Sequence, residues 1–302
     1  MSSLLIETLL PLSCVFTRSL LNIVDRHMLG IKKLNIHLQN CFNVTSALLI
    51  GCLISTYFCS FNEIISVILQ PYCFISAVVM HLVSYAFSLS FKHSSVREVL
   101  VTAKVADLII TPAICFCLTY FFWQSDLNAH VLKPTTYLIG FCALALLFVG
   151  MKDIDFLWHP RSLFLIMSIS LQILFTMVAK QNNTVILSLK EGWILSIGML
   201  IWRSIFSLVP ALICVLQTRP GLIYQKISFR LIVSIFMRAA MMILAYVTFV
   251  FSIELNKPLI VFPILNSSLL IATFLAKFIL KEKPSFYEVA ALIGMTSLPL
   301  ID

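Results

Sequence analysis

Apolar runs separated by short polar breaks occupy almost the whole chain. Ten can be counted, at roughly Leu4 to Val24, Cys41 to Phe61, Ile64 to Phe91, Val99 to Trp123, Thr135 to Met151, Ser162 to Ala179, Gly192 to Leu216, Leu231 to Ile253, Pro258 to Leu280 and Phe286 to Ile301. At a rise of about 1.5 Å per residue, a helix of about 20 residues crosses a hydrocarbon core of about 30 Å. The fifth, sixth and tenth runs, about 16 to 18 residues each, sit at the lower limit of that length. Alternation with period two, which a transmembrane barrel requires, is absent, so the backbone groups must be satisfied within helices. The pattern predicts an all-α integral membrane protein of about ten transmembrane helices, with no segment left over for a soluble domain. The first run continues through Arg18 with no basic lead-in and is expected to be a retained helix rather than a cleaved leader.

A weak internal repeat refines this layout. A shift of 161 positions lays the segment from Tyr85-Ala86-Phe87-Ser88-Leu89 through Asp107 over the segment from Tyr246-Val247-Thr248-Phe249-Val250 through Ser268. In both copies a Tyr-bearing run ends in a short polar corner, His93-Ser94-Ser95-Val96 or Glu254-Leu255-Asn256-Lys257, and the next run begins at once. Two halves result, residues 1–156 and 157–302. With an odd number of five spans in each, the halves face opposite ways, and inverted repeats of this kind belong to transporters with a site near the midplane.

Composition agrees with the pattern. The chain is 60% hydrophobic and 11% charged, with a mean hydropathy of +1.02, against about 25% charged residues in a soluble domain. The net charge of +8 comes mostly from cations between the runs, where lipid headgroups rather than nucleic acid are the expected partners. Nine cysteines lie almost all within apolar runs without CxxC spacing and read as small buried hydrophobes. HExxH, GxSxG, Walker A and paired acidic prenyl-transfer motifs are missing, so neither an enzyme nor a metal or other cofactor is expected.

Polar residues inside the runs are the candidate chemistry, because a charge facing lipid costs at least about 2.5 to 3.5 kcal/mol. Glu7, Pro11, Cys14, Arg18, Asn22 and Asp25 form a helical stripe expected to line the interior or a cavity, with Arg18 near mid-span. Arg203 and Arg238 lie deep within their runs, and three buried arginines facing one cavity would make an anion site, since guanidinium forks suit carboxylates and phosphates. Each could instead pair with helix carbonyls or an internal acid. Lys104, Asp107 and Thr111 share one helical face; Asp107 is either the partner of Lys104 or Arg238, or a proton-coupling acid. His81 is a second proton-coupling candidate, one turn from Tyr85, whose repeat counterpart is Tyr246. Asn266, Gln172 and Thr176 are further polar candidates, and Pro112, Pro210 and Pro263 are sites where a helix can bend.

The corner Leu89-Ser90-Phe91-Lys92-His93-Ser94-Ser95-Val96 and the ending carry a resemblance. That ending comprises Phe262-Pro263-Ile264-Leu265-Asn266-Ser267, then Leu280-Lys281-Glu282-Lys283-Pro284, then Ala290-Ala291-Leu292-Ile293-Gly294-Met295. Together they resemble the paired signatures of the drug/metabolite transporter superfamily, EamA-like branch. The likeness spans the chain in layout but only about 60 residues in motif, and Gln124-Ser125-Asp126 stands where the family usually shows a Glu followed by a base. The resemblance implies ten spans with both termini cytoplasmic. Against this, the odd-numbered loops carry Arg26, Lys32, Lys33, Lys92, Arg97, Lys152, Arg161, Arg219, Lys226, Arg230, Lys281 and Lys283, while the even ones carry Lys133, Lys180, Lys190 and Lys257. The positive-inside rule therefore puts both termini outside.

The expected activity is secondary transport, by alternating access, of a small polar metabolite, anionic or zwitterionic, in the cell (inner) membrane. The alternative is a component that binds or flips lipid headgroups. Monomer and homodimer stay open.

Overall fold

The computed structural model describes residues 3–57, 59–106, 110, 155–181, 189–217, 229–254, 267–282, 289–290 and 293. Their secondary structure is helical, and no strand occurs among the described residues. In chain order the helices are α1 (Ser3–Asp25), which runs on into a π-helical turn at Arg26–Ile31, α2 (Ile36–Ser55), α3 (Phe61–Ile68), α4 (Pro71–His93) and α5 (Val96–Val105). After these come α6 (Asp155–Trp158), α7 (Pro160–Gln181), α8 (Leu189–Gln217), α9 (Phe229–Glu254) and α10 (Ser268–Ile279). Among the described residues, three stretches are long and apolar enough to cross a membrane: α2, α4 and Lys190–Gln217 of α8.

Local chemistry places the helix ends, and in three places it moves an expected boundary. Asn35 starts α2 ahead of Cys41, because its side-chain oxygen accepts from the amides of His37 at 2.9 Å and Leu38 at 3.3 Å. The expected single span Ile64 to Phe91 is two helices. A capping box at Ser60 and Glu63 starts α3. Pro71 then has no N–H to continue that helix and holds Gln70 extended, so α4 begins afresh. A second capping box, Ser95 with Glu98, starts α5 at Val96 rather than Val99. The run Thr135 to Met151, the later part of Val99 to Trp123 apart from Ile110, and most of Phe286 to Ile301 lie outside the described residues.

Helices from the two sequence halves interleave. Helix α1 packs on α9 and α10, α2 on α8 and α9, α4 on α7 and α8, and α5 on α7 and α10. One apolar cluster joins α1, α4, α5, α7 and α10 around Phe91, Val99 and Leu165. A second, Val44, Ala47, Trp193, Ile197, Leu200, Ala239 and Ile243, ties α2 to α8 and α9.

On two helices polar side chains are buried while large apolar ones are exposed. Helix α2 buries Gln39, Asn40, Asn43, Ser46 and Ser55 while exposing Phe42, Leu49 and Leu53. Helix α8 buries Arg203 and Ser207 and exposes Ile205, Leu208, Leu212 and Leu216. Exposed apolar faces of this kind are compatible with a membrane around the helices.

Candidate functional site: a polar band between α2 and α8

Contacts along the α2–α8 seam define an antiparallel register. Ser55 accepts from the Trp193 indole N–H at 2.9 Å at one end, and the Asn35 amide meets the Cys214 sulfur at 3.0 Å at the other. Between them the Ile197 side chain packs into the space above Gly51, where an added Cβ would sit 2.6 Å from its methyl. The second apolar cluster fills the Trp193 side of this seam. Toward Cys214 the filling changes to Asn40 and Asn43 from α2 and Arg203, Ser204 and Ser207 from α8, which the register brings to the same level.

Most of this band is buried yet incompletely bonded. Arg203 is 8% exposed, and its Nη2 donates to the Ser84 hydroxyl of α4 at 2.6 Å. Its Nε, both side-chain atoms of Asn43, the Asn40 Nδ2, the Gln39 Oε1 and the hydroxyls of Ser204 and Ser207 have no hydrogen-bond partner among the described residues. Leaving a buried polar atom unbonded costs about 1 to 3 kcal/mol, so a cluster of them is expensive unless something else fills their valences.

A network closes around the band. Ser88, one turn from Ser84, donates to Asn40 Oδ1 at 2.9 Å. Gln39 donates to Asp25 of α1 at 3.4 Å, and Arg238 of α9 grips the same carboxylate with Nε at 2.5 Å and Nη2 at 2.7 Å. Arg238 in turn lies within electrostatic range of Arg203. Tyr85 points its hydroxyl at the His37 ring, 3.2 Å from Nδ1, and His81 stacks loosely on Tyr85 and edge-on to Phe206. Of the expected site residues, Arg203, Arg238, His81 and Tyr85 thus come together. Tyr246 stands apart, donating to the Gly192 carbonyl at 3.1 Å near the Trp193 end.

Arg18 is exposed rather than buried. Its neighbours on the stripe, Pro11, Cys14 and Asp25, are buried, and Asn22 is half-buried. At about 100° per residue Arg18 points opposite Leu9, Leu12 and Phe16, which form the outer apolar face. Arg18 sits beside Cys14 on the α1–α9 seam, between the Cys14 contact to the Ala245 carbonyl and the Asp25–Arg238 pair. Lys104 is half-buried in the last turn of α5. Asp107 and Asn266 lie outside the described residues, as do the side chains of Glu7 and Thr176, and the carboxylate that Arg238 meets is Asp25.

Gln39, Asn40, Asn43, Ser84 and Ser88 were not among the expected site residues. The available signal was the spacing of Gln39, Asn40, Asn43 and Ser46, i, i+1, i+4, i+7, one helical face within an apolar stretch.

Two clasps flank the band. At the α8 N-terminus, Lys190 Nζ lies 2.7 Å from Glu63 Oε1 of α3. The Lys190 ammonium and the Ser60 amide hold the Glu63 carboxyl down to about 2. At the opposite end, the Arg26 guanidinium donates to the Phe91 carbonyl at 2.9 Å and lies 3.7 Å from Glu282, which also accepts from the Val96 amide.

Comparison with known proteins defines a fold and nothing finer. A solved crystal structure of another protein, 13% identical, aligns over 98% of this chain and 97% of its own length with a TM-score of 0.62. No protein-family model matches the sequence, and no curated protein matches it.

Proposed function

We propose that this chain is a membrane-embedded secondary transporter of two related five-helix halves, which moves a small polar anion or zwitterion by alternating access. The observation that carries the reading is the band itself: charged and amide side chains, buried and short of partners, inside a bundle whose outside is apolar. Structural side chains alone have no reason to be left unbonded at such cost, whereas a site that exchanges hydrogen bonds with a solute must be.

The packing supports the two-half architecture. The 161-residue shift relates α1 to α7, α2 to α8 and α4 to α9, and exchanging these partners turns α1 on α9 into α7 on α4, and α2 on α9 into α8 on α4. Both members of each exchanged pair are present, and α2 on α8 maps onto itself. The band lies on that self-mapped seam, where an inverted-repeat transporter has its site. The resemblance to the EamA-like drug/metabolite transporters agrees with this reading, and the fold-level neighbour neither names a substrate nor opposes one.

The test is uptake into sealed proteoliposomes under an imposed pH gradient, with a panel of anionic and zwitterionic metabolites. Uptake that Arg203→Gln abolishes while expression is unchanged is the expected result. Failure of every solute, with fluorescent lipid probes crossing instead, refutes the transporter and favours a headgroup-flipping component.

A further inference from the structure

Resting on the transporter reading, the charges and unfilled valences of the band narrow its ligand. The Asp25–Arg238 pair is internally neutral. Arg203 carries no bonded carboxylate among the described residues, only the Ser84 hydroxyl. Arg18 belongs to the separate α1–α9 seam. Among the described residues the α2–α8 band therefore offers one uncompensated positive charge. A second negative charge on the ligand would be buried without a partner, which is strongly unfavourable at this depth.

The hydrogen-bonding inventory is mixed. Arg203 Nε, Asn40 Nδ2 and Asn43 Nδ2 are donors in want of acceptors, while Asn43 Oδ1 and Gln39 Oε1 are acceptors in want of donors. A carboxylate supplies acceptors only. It would satisfy Arg203 and the amide N–H groups and leave the two amide oxygens bare. Gln39 and Asn43 stand one turn apart on the same face of α2, about 6 Å along the axis, so the missing donor must lie close to the carboxylate.

We infer that the α2–α8 band binds a compact monocarboxylate bearing an adjacent hydroxyl, that is, a small hydroxy acid, rather than an amino acid, a phosphate or a dicarboxylate. Arg203 Nε and the amides of Asn40 and Asn43 receive the carboxylate. The neighbouring hydroxyl, with a single proton, donates to Asn43 Oδ1. Ser204 and Ser207 complete the wall on α8.

The test is thermal-shift titration of the purified full-length protein with propionate, lactate, alanine and inorganic phosphate. Lactate should stabilise it at lower concentration than propionate, by about tenfold for one added hydrogen bond to the site, whereas alanine, whose ammonium would bury an unpaired positive charge beside Arg203, should not. Alanine acting at a lower concentration than lactate overturns the inference. Asn43→Ala should bring lactate down to the level of propionate, and Arg203→Gln should remove the response to both. Arg203→Lys, which keeps the charge and loses the fork, guards against a misfolded Gln variant and should weaken binding without abolishing it. A shift with phosphate as large as with lactate overturns the inference, as does no shift with any carboxylate or an unaltered response in Asn43→Ala. Uptake is scored separately: transport of another solute without carboxylate binding sinks this inference alone, while carboxylate binding without uptake sinks the transporter reading and leaves the site standing.

Discussion

Converting Asp25 to Asn removes one charge from the best-bonded ion pair in the described residues and leaves its shape almost unchanged. The carboxylate takes both Nε and Nη2 of Arg238 and the Gln39 amide, and the two side chains are only 12% and 14% exposed, so solvent screens the pair weakly. Opposite charges about 4 Å apart in an effective dielectric of about 20 attract by about 4 kcal/mol. Removing one member of a buried pair costs about 3 to 5 kcal/mol, because the survivor stays buried and unpaired. Here the survivor also faces Arg203, so a like-charge contact adds to the loss. Asp25→Asn should therefore destabilise the protein by about 3 to 5 kcal/mol. Adding Arg238→Gln removes the stranded charge, and the double variant should lie at least about 2 kcal/mol above the sum of the singles. Equilibrium unfolding in mixed micelles, followed by the fluorescence of Trp193 and Trp202, reads both numbers. A single-variant loss below about 1 kcal/mol, or strict additivity, would refute the claim that the pair is a buried strut.

Three further outcomes are expected. Ser55→Ala leaves the buried Trp193 indole N–H without its acceptor and should cost about 1 to 3 kcal/mol in the same unfolding assay, whereas Ser66→Ala, whose hydroxyl bonds only its own exposed turn, should be neutral. Cys52 is exposed on the apolar face of α2 together with Leu49 and Leu53, so in membranes it should react with a lipid-soluble maleimide and resist a charged sulfonate reagent; rapid labelling by the charged reagent would place that face in water. Glu63 in the folded state has its carboxyl held at about 2 by Lys190, below the ordinary value of 4.5, so the stabilisation is complete above pH 4.5 and fades as pH falls from 4.5 toward 2. The melting temperature of the wild type should accordingly approach that of Glu63→Gln over this range; a constant gap between them would show that the bridge does not form.

Much of the architecture was legible in the chain because the hydrophobic effect acts through averages over about 20 residues, and such averages survive any detail of packing. Helices α1, α7, α8 and α9 fall within a few residues of the runs Leu4 to Val24, Ser162 to Ala179, Gly192 to Leu216 and Leu231 to Ile253. The break ahead of Pro71 was also written locally, in Ser60, Glu63 and the proline, but an apolar average over Ile64 to Phe91 runs straight across it. The depth of Arg203 within its run also pointed to burial, since a guanidinium has no other tolerable place in apolar sequence.

What tertiary structure alone decided is which charges meet. Asp25 and Arg238 lie in opposite halves of the sequence, and no spacing rule links them; only the packing of α1 on α9 closes that pair. Arg18 stays exposed while Pro11, Cys14 and Asp25 on its stripe are covered, and the packing of α2 on α8 brings the amides of α2 to the level of Arg203. Hydropathy is a property of each segment, so sequence carries it. Pairing and charge balance are properties of surfaces brought together from distant segments, and they exist only once the helices have docked.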